Sequence, residues 1–259
     1  MPKGPDLAGR APAAAPPMSV DPFFNDRATI EVFERAFYAG REAAEEVDAI
    51  LEWRVRPRRV LDVGCNAGLH ALEWARRGVE VVGLDSAPVA IELARQRAAG
   101  DPRLRFEVGD LGALNLEQLG TFDLVTVLGG VFNCIPRPAL PPALHAIRGV
   151  LEPGGDLVFD VLRWRDTPRT VFLRRDSKGT LQIVWEFSFD AIAGRGHVVG
   201  QFLETGAVQD SERNFYTAPE ITTLLGLAGF APPTVAGDLA LGVPAREAEP
   251  SFFFRARPR

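Results

Sequence analysis

Cysteine is scarce in this chain of 259 residues, with only Cys65 and Cys134 present. They make neither a Cys-x-x-Cys pair nor a disulfide framework, so both read as small loop residues, and no metal site is expected. No apolar run reaches the length of a membrane span. The first residues lack the apolar middle of a signal peptide, so a cytoplasmic protein is the expectation. A net charge of −5 and a pI near 5.4 disfavour a nucleic-acid surface, which is usually basic. No internal repeat is visible, and there is no Gly-Lys-Ser/Thr phosphate loop. Apolar residues make up 46% and charged residues 24%, an ordinary globular balance that supports a core without staples.

The chain is organised around residues 60–70, Val-Leu-Asp-Val-Gly-Cys-Asn-Ala-Gly-Leu-His. Arg59 to Val63 is a short apolar run ending in turn residues, which predicts a buried strand. Leu69 to Arg77 has helical spacing, with Leu69, Leu72 and Ala75 on one face. The turn between them carries Gly64 and Gly68, which permit positive φ and close approach of a ligand to the backbone. A dinucleotide fingerprint needs glycine at the first, third and sixth places, and these are Gly64, Asn66 and Leu69. Asp62, an acid opening the turn, suits a cationic ligand better than a pyrophosphate. S-adenosylmethionine carries a sulfonium and an ammonium and no phosphate. A second apolar run ends at Asp85, 21 residues after Gly64, where an acid in nucleotide-binding α/β folds accepts bonds from ribose hydroxyls.

These segments resemble the class I S-adenosylmethionine-dependent methyltransferases of small molecules. The carrying residues are 62–68 (Asp-Val-Gly-Cys-Asn-Ala-Gly), 83–86 (Gly-Leu-Asp-Ser), 109–111 (Gly-Asp-Leu), 122–128 (Phe-Asp-Leu-Val-Thr-Val-Leu) and 151–155 (Leu-Glu-Pro-Gly-Gly). The resemblance covers roughly residues 40 to 160 and resumes at the last helix and strands. Asn66 stands where the family has its middle glycine. Asn tolerates left-handed φ better than most residues, so the turn is expected to survive.

The resemblance implies an α/β fold: a doubly wound, mostly parallel, seven-stranded Rossmann-like sheet with an inserted antiparallel β lid. Residues 1–18, rich in Pro and Ala, read as a disordered tail. Residues 19–58 form an N-terminal helical cap, 59–164 the cofactor-binding core, 165–215 the inserted lid, and 216–259 the last helix and strands. In the insertion, Leu181, Ile183, Trp185, Phe187 and Phe189 alternate with more polar neighbours, a half-buried strand. His197 to Glu204 is its partner after the turn signal Gly194-Arg-Gly196. Thr217 and Glu220 have capping-box spacing before the last helix.

By the same resemblance the cofactor residues are Tyr38, Arg41, Asp62, Gly64, Asn66, Gly68, Asp85, Ser86, Asp110, Leu111, Leu128 and Gly129. Asp110 would accept from the adenine amine, and Arg41 would pair with the cofactor carboxylate. The acceptor should meet the methyl at Gly129-Gly130, because ligands sit at the carboxyl ends of strands in open α/β sheets. Methyl transfer from a sulfonium is a one-step displacement that needs positioning more than a triad. Candidates to orient the acceptor or act as base are Asn133, Tyr216, His197 and Glu186, the last on the polar side of its strand and expected to face solvent. The basic run Arg163, Arg165, Arg169, Arg174 and Arg175 is either an anion clamp or a solvated face. The Asn/Asp-Pro-Pro-Tyr/Phe motif of base-methylating enzymes is absent.

The expectation is therefore methyl transfer to N or O of a small molecule, without nucleic-acid or membrane partners. A protein of the same fold that binds the cofactor without transferring methyl, and a protein or RNA methyltransferase, are the alternatives. The apolar face of the insertion serves equally as lid, pocket or homodimer contact.

Overall fold

A computed structural model describes residues 22–37, 43–53, 56–111, 115–162, 169–190, 192, 194–239 and 251–259. The strands are β1 (Arg59–Val63), β2 (Glu80–Asp85), β3 (Leu104–Val108), β4 (Phe122–Val127), β5 (Leu151–Leu162), β6 (Arg169–Arg175), β7 (Leu181–Asp190), β8 (Arg195–Phe202), β9 (Val208–Asn214), β10 (Thr234–Ala236) and β11 (Ser251–Ala256). The helices are α1 (Arg27–Phe37), α2 (Ala43–Glu52), α3 (Leu69–Arg76), α4 (Pro88–Ala98), α5 (Val131–Cys134), α6 (Leu140–Val150) and α7 (Ala218–Leu227).

Seven strands form one sheet in the order β10-β11-β5-β4-β1-β2-β3. The five strands from β5 to β3 are parallel; β11 pairs antiparallel with β5, and β10 pairs antiparallel with β11 and so runs with the five. Central strands are mostly apolar on both faces because both are covered by helices. Leu144, Ile147, Ile221 and Leu225 of α6 and α7 pack on one face. Val47, Ile50, Trp74, Ile91 and Ala94 of α2, α3 and α4 pack on the other. The connections reverse direction between β1 and β4, which opens a crevice above the carboxyl ends of those two strands.

Helix α3 departs from the expected face. Its buried residues are His70, Ala71, Trp74 and Ala75, because the Trp74 indole, the largest apolar group of the helix, turns into the core. The capping box of α7 forms as its spacing predicts, with Thr217 and Glu220 bonded reciprocally.

Between β5 and α7 lies a second, antiparallel sheet of four strands in the order β6-β7-β8-β9. The sequence reading found β7 and β8 only. In β6, Arg169 and Arg175 face solvent while Phe172 and Arg174 face inward, so the period of two is hidden by inward arginine and outward Val171 and Leu173. β9 is polar along its length and gives no apolar alternation. The inner face of this sheet is clamped by α1: Val32, Phe33 and Ala36 pack against Trp185 and Phe202.

Candidate active site

The first wall of the site is the turn after β1. The N–H groups of Gly64 and Cys65 both donate to Leu84 O, at 2.7 and 3.2 Å, which binds the turn to the end of β2. Gly64 has φ +72°, and a Cβ there would lie 2.4 Å from Val131 Cγ2. The glycine thus lets the turns after β1 and β4 touch. Asn66 adopts φ +49°, the left-handed conformation expected of it. Gly68, φ +81°, opens α3, and its missing Cβ makes room for the Phe106 ring and Ala94. It therefore serves packing behind the turn rather than lining the cleft.

Three carboxylates surround this turn. Asp85, at the end of β2, accepts from the N–H of Asn66 and of Ala87, each at 2.9 Å. Burial pushes its carboxyl above the usual range, while these N–H groups pull it back. Asp62 is buried, and its Oδ1 accepts from Thr126 Oγ1 at 2.8 Å. Burial raises its carboxyl too, against the pull of His70 and Thr126. Among the described residues, Asp62 Oδ2 and Asn66 Oδ1 have no hydrogen-bond partner. Two such acceptors in a cleft suit a cationic, hydrogen-bond-donating ligand. Asp110 and the buried Leu111 stand beyond β3, where Gly109 N–H donates to Asp85 O at 2.9 Å. Cys65 is buried beside Asp85 and Asp62, and burial above all holds its thiol well above the usual range, so it is no nucleophile.

Sequence reasoning missed a buried pair on the same wall: His70 Nε2 and Glu46 Oε2 lie 2.6 Å apart, and both residues line the cleft. The signal was the helical spacing of α2, which puts Glu46 beside Val47 and Ile50 on the inward face.

The second wall is the turn Gly129-Gly130 after β4. Asp160 Oδ1 accepts from Gly130 N–H at 2.9 Å and so holds the turn against β5. The third wall is the inserted sheet. Phe172, Trp185, Phe187, Phe189, Ser211 and Arg213 face the turns across a single cleft of about 1230 Å³. Sites for one small ligand run to roughly 300–1000 Å³, so this space accommodates two side by side.

Of the expected cofactor residues, Asp62, Gly64, Asn66, Asp85, Ser86, Asp110, Leu111, Leu128 and Gly129 line this cleft together. Tyr38 and Arg41 lie outside the described residues, as do Arg163 and Arg165. Arg174 lines the cleft, whereas Arg169 faces outward and pairs with Glu186. The acceptor-side candidates are placed elsewhere. Tyr216 is buried in the core under the Arg137 guanidinium, 4.6 Å from its ring, and burial pushes its hydroxyl up to about 12. His197 is exposed on the outer face of the inserted sheet and pairs with Asp210. Asn133 is wholly buried, with both ends of its carboxamide engaged by the main chain.

Residues 60–155 match the family model described as a methyltransferase domain. A ubiquinone biosynthesis O-methyltransferase of Alkalilimnicola ehrlichii is 38% identical over 110 residues, covering 40% of this chain and 42% of that protein. The chain thus spans about two-fifths of the length of such curated relatives. The CcbJ methyltransferase of Streptomyces caelestis shares the fold, with a TM-score of 0.70 over 91% of this chain and 98% of that one at 18% identity. CalS10 of Micromonospora echinaspora, an amino pentose methyltransferase solved with S-adenosylmethionine, superposes with a TM-score of 0.63 at 25% identity, over 84% of this chain and 90% of that one. The sheet order, the Gly64 turn with Asp85, and these matches define a nucleotide-type α/β site. Residues 60–155 carry the methyltransferase-domain match, and the chain is similar to S-adenosylmethionine-dependent methyltransferases in fold.

Proposed function

We propose that the protein transfers a methyl group from S-adenosylmethionine to a nitrogen or oxygen of a small molecule. One observation carries this reading: the acid-lined glycine turn and the aromatic wall of the inserted sheet line one cleft, together with Gly129-Gly130. The residues present fit the cofactor. Asp85 would accept from the ribose hydroxyls, and Asp110 with Leu111 would meet the adenine. Asp62 Oδ2 and Asn66 Oδ1 are open to the ammonium. Bound there, the cofactor supplies an electrophilic methyl on a positively charged sulfur.

The chain's own residues then have three tasks. Asp62 and Asp85 favour a cation at this end of the cleft. The Gly129-Gly130 turn gives an acceptor close approach without a side chain in the way. Phe172, Trp185, Phe187 and Phe189 desolvate the acceptor and hold it in line, the arrangement in which a displacement is fastest. An amine acceptor must arrive neutral, and a hydroxyl must lose its proton as it attacks. The names of the relatives, one acting in ubiquinone biosynthesis at oxygen and one on an amino pentose, support a small acceptor of either kind. The reading includes a cytoplasmic setting; among the described residues no helix is long and apolar enough to cross a membrane.

Native mass spectrometry of the purified protein, with calorimetry of S-adenosylhomocysteine binding, tests the cofactor half. Labelled-methyl transfer to a panel of catechols and amino sugars tests the other half. Binding without transfer to any acceptor would favour a cofactor-binding protein of the same fold. No binding would overturn the reading.

A further inference from the structure

The backbone of the inserted sheet meets the core at two crossings: it departs after Leu162, the last residue of β5, and returns at Asn214, the last residue of β9. One side chain reaches both. Asn133 Oδ1 accepts from the N–H of Leu162 at 2.8 Å, and Asn133 Nδ2 donates to Asn214 O at 2.6 Å. A donor at one crossing and an acceptor at the other fix which way the amide points. Asn214 answers with its own side chain, donating from Nδ2 to Ile135 O at 2.8 Å, just past α5.

The same cluster holds the turn at which the methyl should face its acceptor. Asn133 N–H donates to Gly130 O at 3.0 Å, and Gly130 N–H donates to Asp160. A Cβ on Gly130 would sit 3.2 Å from Leu162 Cγ and 3.3 Å from Asn133 Oδ1, so glycine leaves the carboxamide its place. On the lid side, Ser211, Arg213 and Phe215, all lining the cleft, lie within three residues of Asn214.

We propose that Asn133 is a positioning residue: its buried carboxamide pins the two crossings between core and lid, and so sets the acceptor wall over the Gly129-Gly130 turn. This inference rests on the methyltransferase reading for its effect on rate, though not for its geometry. Asn133 is fully buried with both amide ends committed, so it does not touch the acceptor. It acts through Asn214 and Leu162. A misplacement of about 1 Å in such a wall can cost roughly 100-fold in rate.

The test compares the full chain with Asn133→Ala, Asn133→Asp and Asn214→Ala, each with S-adenosylhomocysteine. Hydrogen exchange should quicken in β6–β9 together, by about 10-fold or more in Asn133→Ala, and stay unchanged in β1–β4. For an acceptor that the wild type methylates, kcat should fall about 10- to 100-fold while the dissociation constant of S-adenosylhomocysteine holds within about twofold. Asn133→Asp keeps an oxygen for Leu162 N–H but loses the donor to Asn214 O, so it should fall between wild type and Asn133→Ala. Unchanged exchange in β6–β9 would overturn the proposal, as would a loss of kcat matched by an equal loss of cofactor affinity. If Asn133→Ala does not fold, Asn214→Ala carries the same comparison, with a smaller rise in lid exchange expected. A wild type that neither binds S-adenosylhomocysteine nor transfers methyl would sink the methyltransferase reading alone; the exchange comparison would still decide the pin.

Discussion

The main-chain N–H of Asn66 donates to Asp85 Oδ2 at 2.9 Å, across the gap between the turn after β1 and the end of β2. The acid expected to meet a ribose is therefore also a brace for the glycine turn, with Ala87 N–H on its other oxygen. On the proposed function, the ligand and the loop would share one carboxylate.

Asp85→Ala should weaken S-adenosylhomocysteine binding by ~1.5–3 kcal/mol, the range for hydrogen bonds to a charged group. It should also lower stability without ligand, because two N–H groups lose their acceptor. Asp85→Asn keeps one acceptor oxygen and should recover part of the stability but little of the affinity. Calorimetry and chemical denaturation separate the two effects. Unchanged affinity in Asp85→Ala would remove Asp85 from the ribose site.

Asp62→Asn tests the cost of the buried acid. Burial raises its folded carboxyl above the unfolded value of 3.8, so the native state holds a proton that the unfolded chain has released. Stability should then fall as pH rises from about 3.8 through the raised value and stay low above it. The substituted carboxamide keeps an oxygen for Thr126 and carries no charge. The ligand-free variant should melt higher than wild type at pH 7, lose that advantage in acid, and bind the cofactor more weakly. A variant that melts no higher at pH 7 would contradict the burial argument.

Gly64 and Gly129 both have positive φ, at +72° and +86°, but only Gly64 is crowded. Alanine at 129 meets nothing within 4 Å and should cost the left-handed strain alone, about 1–2 kcal/mol. Alanine at 64 adds the collision with Val131 and should cost more, with cofactor binding lost as the two turns separate. Denaturant midpoints of the two variants would show the order, and equal losses would refute it.

Tyr216→Phe should leave transfer unchanged and hold or raise stability, since among the described residues the buried hydroxyl has no partner whose loss would be felt. His197→Ala should be equally silent in turnover. A large loss of kcat in either would return that residue to the reaction.

The sequence made legible whatever is local. β1, β2 and β4 are short, mostly apolar runs, and Gly64, Asp85 and the Thr217 capping box follow from spacing along one stretch of chain. What it hid depends on partners far away. β9 is a polar strand that forms because β8 offers it an edge, and no alternation marks it. Glu46 is buried because His70, 24 residues on, comes to meet it. Tyr216 precedes a capped helix at a position that looked open to the cleft, yet Arg137 and the core enclose it. The Asn133 contacts join residues about 30 and 80 positions apart, which no single-stretch pattern encodes.

The lid's two ends meet at one amide, Leu162 on one side and Asn214 on the other. A segment whose ends lie close together can be inserted or exchanged with little disturbance of the host fold. On the proposed function, the strands around the glycine turn and the sheet across the cleft are in this sense separable cassettes. Acceptor preference would then drift by rewriting residues 169–214 while the glycine turn and its acids stay as they are, and grafting that span from a relative onto this core should change the acceptor.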